Sequence, residues 1–124
     1  MSPTPHSIGR DQTLARAGQV MRQHHIRHLP VLHGGRLVGV LSERDVMLVE
    51  ALSSADPEDI YIEEAMTDQV YTVHSLDPLS EVAATMARHR YGCAVVMEAN
   101  RVVGVFTTVD ACRALARTLD APFD

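Results

Sequence analysis

Apolar residues recur at intervals of three and four in two stretches of the chain, where they alternate with mainly polar residues. The apolar positions are Leu14, Ala17, Val20 and Met21 in the first stretch and Leu79, Val82, Ala83 and Met86 in the second. This spacing predicts two amphipathic helices, each with one face on the core. The second helix has a clear start signal, since Asp77 can accept hydrogen bonds from free backbone N–H groups and Pro78 suits the first helical position.

Two runs of β-branched and aliphatic residues follow each predicted helix, with a short turn between them. LPVLH and RLVGVLS flank Gly34-Gly35, and AVVME and RVVGVF flank Ala99-Asn100, which predicts two β-hairpins. The Val-Gly-Val core of each second strand is apolar on successive residues, so these strands should be covered on both faces. Gly39 and Gly104 leave room there for another backbone or a ligand to approach.

A second helix is expected after each hairpin, and the first of these helices should end near Ser53. Short strands at Ile8 and Val73 are expected before the first helices, so each half of the chain reads β-α-β-β-α. Asp56-Pro57 is the predicted break between the halves, because the residue before a proline disfavours helical geometry.

The two halves are copies of one unit. Asp45 and Asp110 are 65 residues apart, and at this offset the chain matches itself without a gap from His6/Tyr71 to Met47/Cys112, with nine of 42 pairs identical. Two copies are too few for a solenoid, so the expected structure is a closed pair with pseudo-two-fold symmetry. The first repeat with its linker is assigned to residues 1–60 and the second repeat to residues 61–124.

The composition narrows the classes of fold and function. A chain of 124 residues with 46% hydrophobic and 4% aromatic content predicts an α/β (α+β) globular unit with an aliphatic core. The net charge of −5 disfavours nucleic-acid binding, which needs a basic surface. No apolar run is long enough to span a membrane and no signal peptide is recognisable, so a cytoplasmic protein is expected. Cys93 and Cys112 lack metal-ligand spacing and are expected to be small buried residues.

The end of each hairpin carries a similar polar pair, Ser42-x-x-Asp45 and Thr107-x-x-Asp110. One interpretation is a capping box, which begins a helix and needs no ligand. The other is a ligand site, because a carboxylate accepts two hydroxyl donors and the N–H groups of a helix start suit a phosphate. The Val-Gly-Val run before both pairs favours the ligand site, since a capping box does not require it.

The stretch HHIRHLPVLHGGRLVGVLSERDV, with the segments AMT and YTV that open the second copy, resembles a CBS repeat, and the whole chain resembles a tandem CBS pair, the Bateman module. The resemblance implies a regulatory sensor that binds an adenosine-containing ligand in clefts between the repeats. AMP, ADP and ATP are the leading ligands, with S-adenosylmethionine or NAD as further members of the class. The resemblance also implies a homodimer formed through the helices. A separate regulated partner protein is expected, because the sequence to Asp124 shows no attached catalytic, channel or DNA-binding domain. A dimerisation module without a ligand is the alternative.

Carried onto matching positions, the resemblance implies that Asp45 and Asp110 accept hydrogen bonds from ribose hydroxyls. Ser42 and Thr107 would then lie near the phosphates. Adenine would pack on the apolar strand residues Ile8, Pro30, Val73 and Val95. Thr72, beside Val73, is a further candidate for ligand binding.

The two clefts are expected to differ in phosphate binding. The resemblance implies that Arg27-His28 reach the cleft whose aspartate is Asp110. The matching pair in the second copy, Gly92-Cys93, carries no charge, and Arg44 is matched only by Val109. We therefore predict one stronger and one weaker phosphate site.

His24-x-x-x-His28 has a spacing that places two imidazoles on one helical face, and His25 and His33 lie nearby. Pro30 and a β-rich run follow almost at once, so the helix should end before His28, and these residues are interpreted as solvent-facing groups rather than metal ligands. The sequence also contains no Walker loop, G-x-S-x-G, dinucleotide or H-E-x-x-H motif, so no catalytic activity is expected.

Overall fold

Each half of the chain folds as a short strand, a helix, a β-hairpin and a second helix, as the repeat predicts. The structure, a computed structural model, describes residues 6–119. Repeat 1 contains β1 (Ile8–Gly9), α1 (Leu14–His24), β2 (His28–His33), β3 (Arg36–Ser42) and α2 (Glu43–Leu52). Repeat 2 contains β4 (Thr72–His74), α3 (Leu79–His89), β5 (Cys93–Glu98), β6 (Arg101–Thr107) and α4 (Thr108–Thr118). The linker between them includes the 3₁₀ turns Pro57–Asp59 and Ile62–Glu64.

Each repeat has a three-stranded sheet in which the short strand pairs in parallel with the hairpin's first strand. Both hairpin turns have positive φ angles, 57° and 79° at Gly34 and Gly35, and 49° and 64° at Ala99 and Asn100. Glycine adopts this geometry without steric cost and asparagine tolerates it, whereas alanine is strained by its Cβ. Both hairpin predictions are confirmed, and the second turn reaches the same geometry with a less suitable sequence.

The helix ends confirm one prediction and correct another. α2 ends as predicted, with Ser53 as its C-cap. α3 begins at Leu79 instead of Pro78, which is the N-cap residue and provides no side-chain hydrogen bond. The carboxylate of Asp77 accepts the N–H of His74 at 2.8 Å. The prediction of an Asp77 cap is therefore wrong, because this side chain satisfies the turn that precedes the helix.

Aliphatic side chains form the core, as the composition predicts. The largest fully buried side chains among residues 6–119 are Leu14, Leu29, Leu41, Ile62, Val31, Val95 and Pro30. In repeat 1 the buried cluster draws on both helices and the sheet, and the linker adds Ile60 and Ile62 to it. Burying aliphatic side chains of this size stabilises the fold by about 1.5 to 3 kcal/mol each. The linker therefore belongs to the core of repeat 1.

The linker also pairs with β3. Val40 and Thr67 form an antiparallel bridge in which both backbone hydrogen bonds measure 2.9 Å. Gly39 permits this approach, because a Cβ at this position would lie 2.8 Å from the Thr67 carbonyl oxygen and 2.7 Å from the Met66 sulfur. The prediction that Gly39 admits a close neighbour is confirmed, and the neighbour is the linker backbone.

The cysteines differ from each other in exposure. Cys93 is half-buried and Cys112 is exposed, so the expectation that both are buried is wrong for Cys112. Its helix, α4, buries no described residue, and the small cysteine side chain lies on that open surface. Burial raises the pKa of the Cys93 thiol to about 11, which keeps the thiol protonated near neutral pH.

The histidine-rich stretch does not form a helical pair. α1 ends at His24, His25 adopts a left-handed conformation as the C-cap, and His28 begins β2. This confirms that the helix ends before His28. Within residues 6–119, no cluster of three His, Cys, Asp or Glu side chains has an arrangement that could hold a metal ion. No helix in this range is long and apolar enough to cross a membrane.

Candidate ligand-binding cleft

A capping box begins the second helix of each repeat. Ser42 Oγ accepts the Asp45 N–H at 3.0 Å, and Asp45 Oδ2 accepts the Ser42 N–H at 2.9 Å. In repeat 2, Asp110 Oδ2 accepts the Thr107 N–H at 2.9 Å, and Thr107 Oγ1 accepts the Asp110 N–H at 3.3 Å. The capping interpretation is therefore confirmed at both positions. It does not compete with ligand binding, because a carboxylate has two oxygens and about four acceptor sites.

Both capping boxes face one open cleft between the repeats, with a volume of about 1760 Å³. This volume exceeds the roughly 300–1,000 Å³ of a typical small-molecule site. The predicted site residues that line the cleft are Arg27, His28, Ser42, Arg44, Asp45, Thr107 and Asp110. Each helix start brings the positive end of its dipole to this cleft, and the arginines add permanent positive charge. The first N–H group of each helix is already bound, since the Glu43 N–H donates to the Arg27 carbonyl at 2.8 Å and the Thr108 N–H donates to the Gly92 carbonyl at 3.2 Å.

The predicted adenine-packing residues and Thr72 are elsewhere. Pro30 and Val95 are fully buried, and Ile8 is 7% exposed. Val73 lines a separate, smaller groove, and Thr72 is exposed in β4 outside the cleft wall. The structure therefore does not bring these residues into the cleft, because the core covers Ile8, Pro30 and Val95 and the short strand β4 lies away from the cleft wall. The apolar part of the cleft wall is formed by other residues, among them Ile26, Val40, Val70, Tyr71, Tyr91 and Val105.

An aromatic group in repeat 2 was not anticipated from the sequence. Tyr71 and Tyr91 stack with ring centroids 5.1 Å apart, and the ring of His89 also stacks on Tyr91, with its centroid 5.1 Å away. Both tyrosines line the cleft. At the repeat offset they match His6 and Ile26, and this gain of two aromatic residues in one copy is the signal that could have identified them. Their rings provide a flat surface suited to a purine.

His28 connects the two repeats. It pairs with Ser42 across the β2–β3 hairpin, and its Nε2 atom lies 3.2 Å from the position of a Cβ on Gly92. The pKa of His28 is lowered, mainly because burial disfavours the charged imidazolium. The negative charge of Asp45 partly raises this pKa, the positive charge of Arg27 lowers it further, and the negative charge of Glu43 raises it slightly. The imidazole is therefore neutral near pH 7 and can both donate and accept a hydrogen bond. Asp45 is the aspartate whose charge acts on His28 most strongly. That Arg27 and His28 bind phosphate in the same site as Asp110 therefore stays a prediction.

The depressed pKa of His28 predicts an acid-sensitive fold. The pKa of His28 has its ordinary value of 6.5 in the unfolded chain and a lower value in the folded chain. The stabilisation that comes from keeping His28 neutral is therefore complete above about pH 6.5. This contribution is lost as the pH falls through the folded pKa. Urea unfolding of wild type and His28→Gln between pH 8 and pH 5 should show a smaller loss of stability in the variant. His33→Gln, at an exposed site in the same strand, is the control and should follow the wild type; identical curves for all three proteins would refute this role of His28.

The sequence profile of the CBS domain family matches residues 1–51 and 60–117. The chain belongs to the CBS domain family. The two matched segments coincide with the two structural repeats, so the protein contains a tandem CBS pair. Its fold is that of known CBS pairs: it superimposes on the CBS domain pair of protein MJ0100, in complex with 5′-methylthioadenosine and S-adenosyl-L-methionine, with a TM-score of 0.86 and 28% identity, covering 96% of this chain and 94% of that one.

Two other proteins are similar over most of their length. A crystal structure of an acetoin utilization protein (AcuB) from Vibrio cholerae has a TM-score of 0.84 and 30% identity, with 97% of this chain and 89% of that chain covered. Hypoxic response protein 1 of Mycobacterium tuberculosis is 31% identical over 109 residues, which is 87% of this chain and 76% of the relative. The CBS domain is a regulatory type of module.

Proposed function

We propose that this CBS pair binds an adenosine-containing ligand in the central cleft and transmits its presence to a separate regulated protein. The observation that carries the proposal is the pair of capped helix starts that face one cleft, each with a Ser/Thr hydroxyl and an aspartate. The positive ends of the two helix dipoles suit phosphate oxygens, and the carboxylates suit ribose hydroxyls. Tyr71 and Tyr91 offer a stacking surface for the base.

Four arginines favour AMP, ADP or ATP within this ligand class. Arg27, Arg44, Arg90 and Arg113 line the cleft, and guanidinium groups bind phosphate oxygens in a bidentate manner. S-adenosylmethionine and methylthioadenosine lack phosphate and would use the aspartates and the aromatic surface alone. NAD carries phosphates but adds a second nucleoside. The described residues provide cations from both repeats, which supports the nucleotides as leading ligands.

A thermal-shift panel tests the ligand class directly. AMP, ADP, ATP, NAD and S-adenosylmethionine are each added to the protein in increasing excess. A ligand that binds only the folded chain stabilises it by about 2.7 kcal/mol at a hundredfold excess over its Kd. We expect this stabilisation with at least one adenine nucleotide. If none of the five compounds changes the melting temperature, the chain is a dimerisation module whose capping boxes serve the fold alone.

A homodimer is also proposed, formed through the second helices of the repeats. Leu52 on α2 is 79% exposed, and Leu115 on α4 is 57% exposed. Neither residue lines the cleft, and exposed aliphatic side chains favour association. We expect a dimer by light scattering at micromolar concentration and a monomer for Leu115→Glu. Leu76→Glu, at a site 86% exposed outside these helices, should remain dimeric; a monomeric wild type would contradict the proposal.

A further inference from the structure

The second helices of the two repeats differ at one position that faces the cleft. Arg113 on α4 and Leu48 on α2 occupy the same position of the repeat, and both line the cleft. An arginine can bind an anion through two parallel N–H donors, whereas a leucine offers only apolar surface. The two capped helix starts therefore present different chemistry to a ligand.

Arg113 contacts the carboxylate that the proposed function assigns to the ribose. Its Nη1 atom lies 3.8 Å from Asp110 Oδ1, while Asp110 Oδ2 accepts the Thr107 N–H at 2.9 Å. The guanidinium reaches back toward the start of its helix, which is the direction in which helical side chains point. A cation and the carboxylate thus lie side by side at the start of α4.

This ion pair is weak enough for a ligand to rearrange it. The distance of 3.8 Å is too long for a hydrogen bond between these two atoms, and the Arg113 side chain is 72% exposed. Exposed ion pairs contribute little to stability. A phosphate accepts two short, charge-assisted hydrogen bonds from one guanidinium, so it is the stronger partner for Arg113.

The charges around the two helix starts differ in the same sense. Residues 43–48 read ERDVML and carry two carboxylates and one arginine, whereas residues 108–113 read TVDACR and carry one of each. The net charge is therefore −1 at the start of α2 and zero at the start of α4. A phosphate is repelled less by a neutral group of side chains than by a negative one, so the start of α4 is the more suitable of the two.

We propose that Arg113 is a specificity-determining residue of the cleft, which turns from Asp110 to the phosphate of the ligand and leaves Asp110 to accept the ribose hydroxyls. The inference rests on the proposed function, because it concerns the same cleft. A nucleoside must compete with Arg113 for the carboxylate. A nucleotide satisfies the carboxylate and the guanidinium together, so the site prefers a nucleotide to the corresponding nucleoside.

AMP and adenosine test this inference, since they differ only in the phosphate. Calorimetry of the wild type should show that AMP binds at the stronger site about tenfold or more tightly than adenosine, the gain expected from charge-assisted hydrogen bonds. Arg113→Leu introduces the residue that repeat 1 has at this position. It should lower the ratio of the two affinities by about tenfold, through weaker AMP binding and equal or tighter adenosine binding. Arg113→Lys should keep part of the preference, because lysine retains the charge but not the two parallel donors.

Arg117→Leu is the matched control. It removes the same charge one turn further along α4, and Arg117 does not line the cleft, so the ratio of affinities should equal that of the wild type. Without ligand, Arg113→Leu should unfold at the same temperature as the wild type, since the ion pair it removes is exposed. This measurement separates a role in binding from a role in the fold.

Equal affinities of the wild type for AMP and adenosine, or an unchanged ratio in Arg113→Leu, would overturn the inference and leave the proposed function in place. A ratio lowered as much by Arg117→Leu would also overturn it, because net charge alone would then account for the preference. If neither compound binds, the inference fails, and the thermal-shift panel with ATP, NAD and S-adenosylmethionine decides the proposed function separately.

Discussion

Replacing Asp110 by asparagine is expected to weaken nucleotide binding at the stronger site by about tenfold to a hundredfold, because a charged hydrogen bond contributes about 1.5 to 3 kcal/mol. The carboxylate can accept both ribose hydroxyls, whereas an amide presents one oxygen and a donor. Asparagine keeps one oxygen for the Thr107 N–H, so the helix cap is retained. Asp45→Asn should have the same effect at the weaker site, and calorimetry with the nucleotide that stabilises the wild type measures both.

A cap outside the cleft controls for lost stability in this experiment. Thr13 is the N-cap of α1 and accepts the Arg16 N–H at 3.2 Å, and it does not line the cleft. Thr13→Ala should lower stability by about 1 kcal/mol and leave the affinity unchanged. If both aspartate variants bind the nucleotide as tightly as the wild type, these carboxylates do not bind the ribose hydroxyls. If calorimetry of the wild type finds two sites of equal affinity, the predicted difference between the sites is wrong.

Gly39→Ala is expected to destabilise the fold by about 2 to 4 kcal/mol, the cost of overpacking together with two weakened hydrogen bonds. The new methyl group would lie 2.8 Å from the Thr67 carbonyl oxygen, and the linker backbone must move away to relieve this contact. That movement breaks the Val40–Thr67 bridge, whose hydrogen bonds both measure 2.9 Å. Urea unfolding of the variant measures the loss.

The same substitution at Gly18 should have the opposite sign. Gly18 lies within α1, and a Cβ there would approach the guanidinium of Arg22 at 3.1 Å, the end of a side chain that can move. Gly18→Ala should raise stability by about 0.5 to 1 kcal/mol through helix propensity. If Gly39→Ala is as stable as the wild type, the linker is not held against β3 as described.

Much of the fold was predictable because its signals are local. The Gly34-Gly35 turn, the end of α2 at Ser53 and both capping boxes depend on residues within a few positions of one another, and each was found where the sequence indicated. The start of α3 was predicted at Pro78 but lies at Leu79. An aspartate side chain can bind either the helix start or the turn before it, and local sequence does not decide which; here Asp77 binds the His74 N–H of the turn.

The candidate site was only partly predictable, because lining a cleft depends on packing between distant segments. Asp45 and Asp110 could be placed at helix starts, since their role as caps follows from their spacing to Ser42 and Thr107. Pro30 and Val95 resemble ligand-contacting residues in sequence, yet both are fully buried. Tyr71 and Tyr91 were not identified as a pair, because 19 residues separate them in the sequence and only the tertiary structure brings their rings into contact.

The sequence by itself determined the repeat, the order of elements and the capped starts of α2 and α4, since periodicity, turn residues and caps act over a few residues. Only the tertiary structure decided which copies of a repeated position are covered. Leu14 and Leu79 are the same residue at the same position of the repeat, but the linker buries Leu14 and leaves Leu79 at the edge of a groove. Burial depends on what packs from elsewhere in the chain, so a residue's position in the repeat cannot specify it.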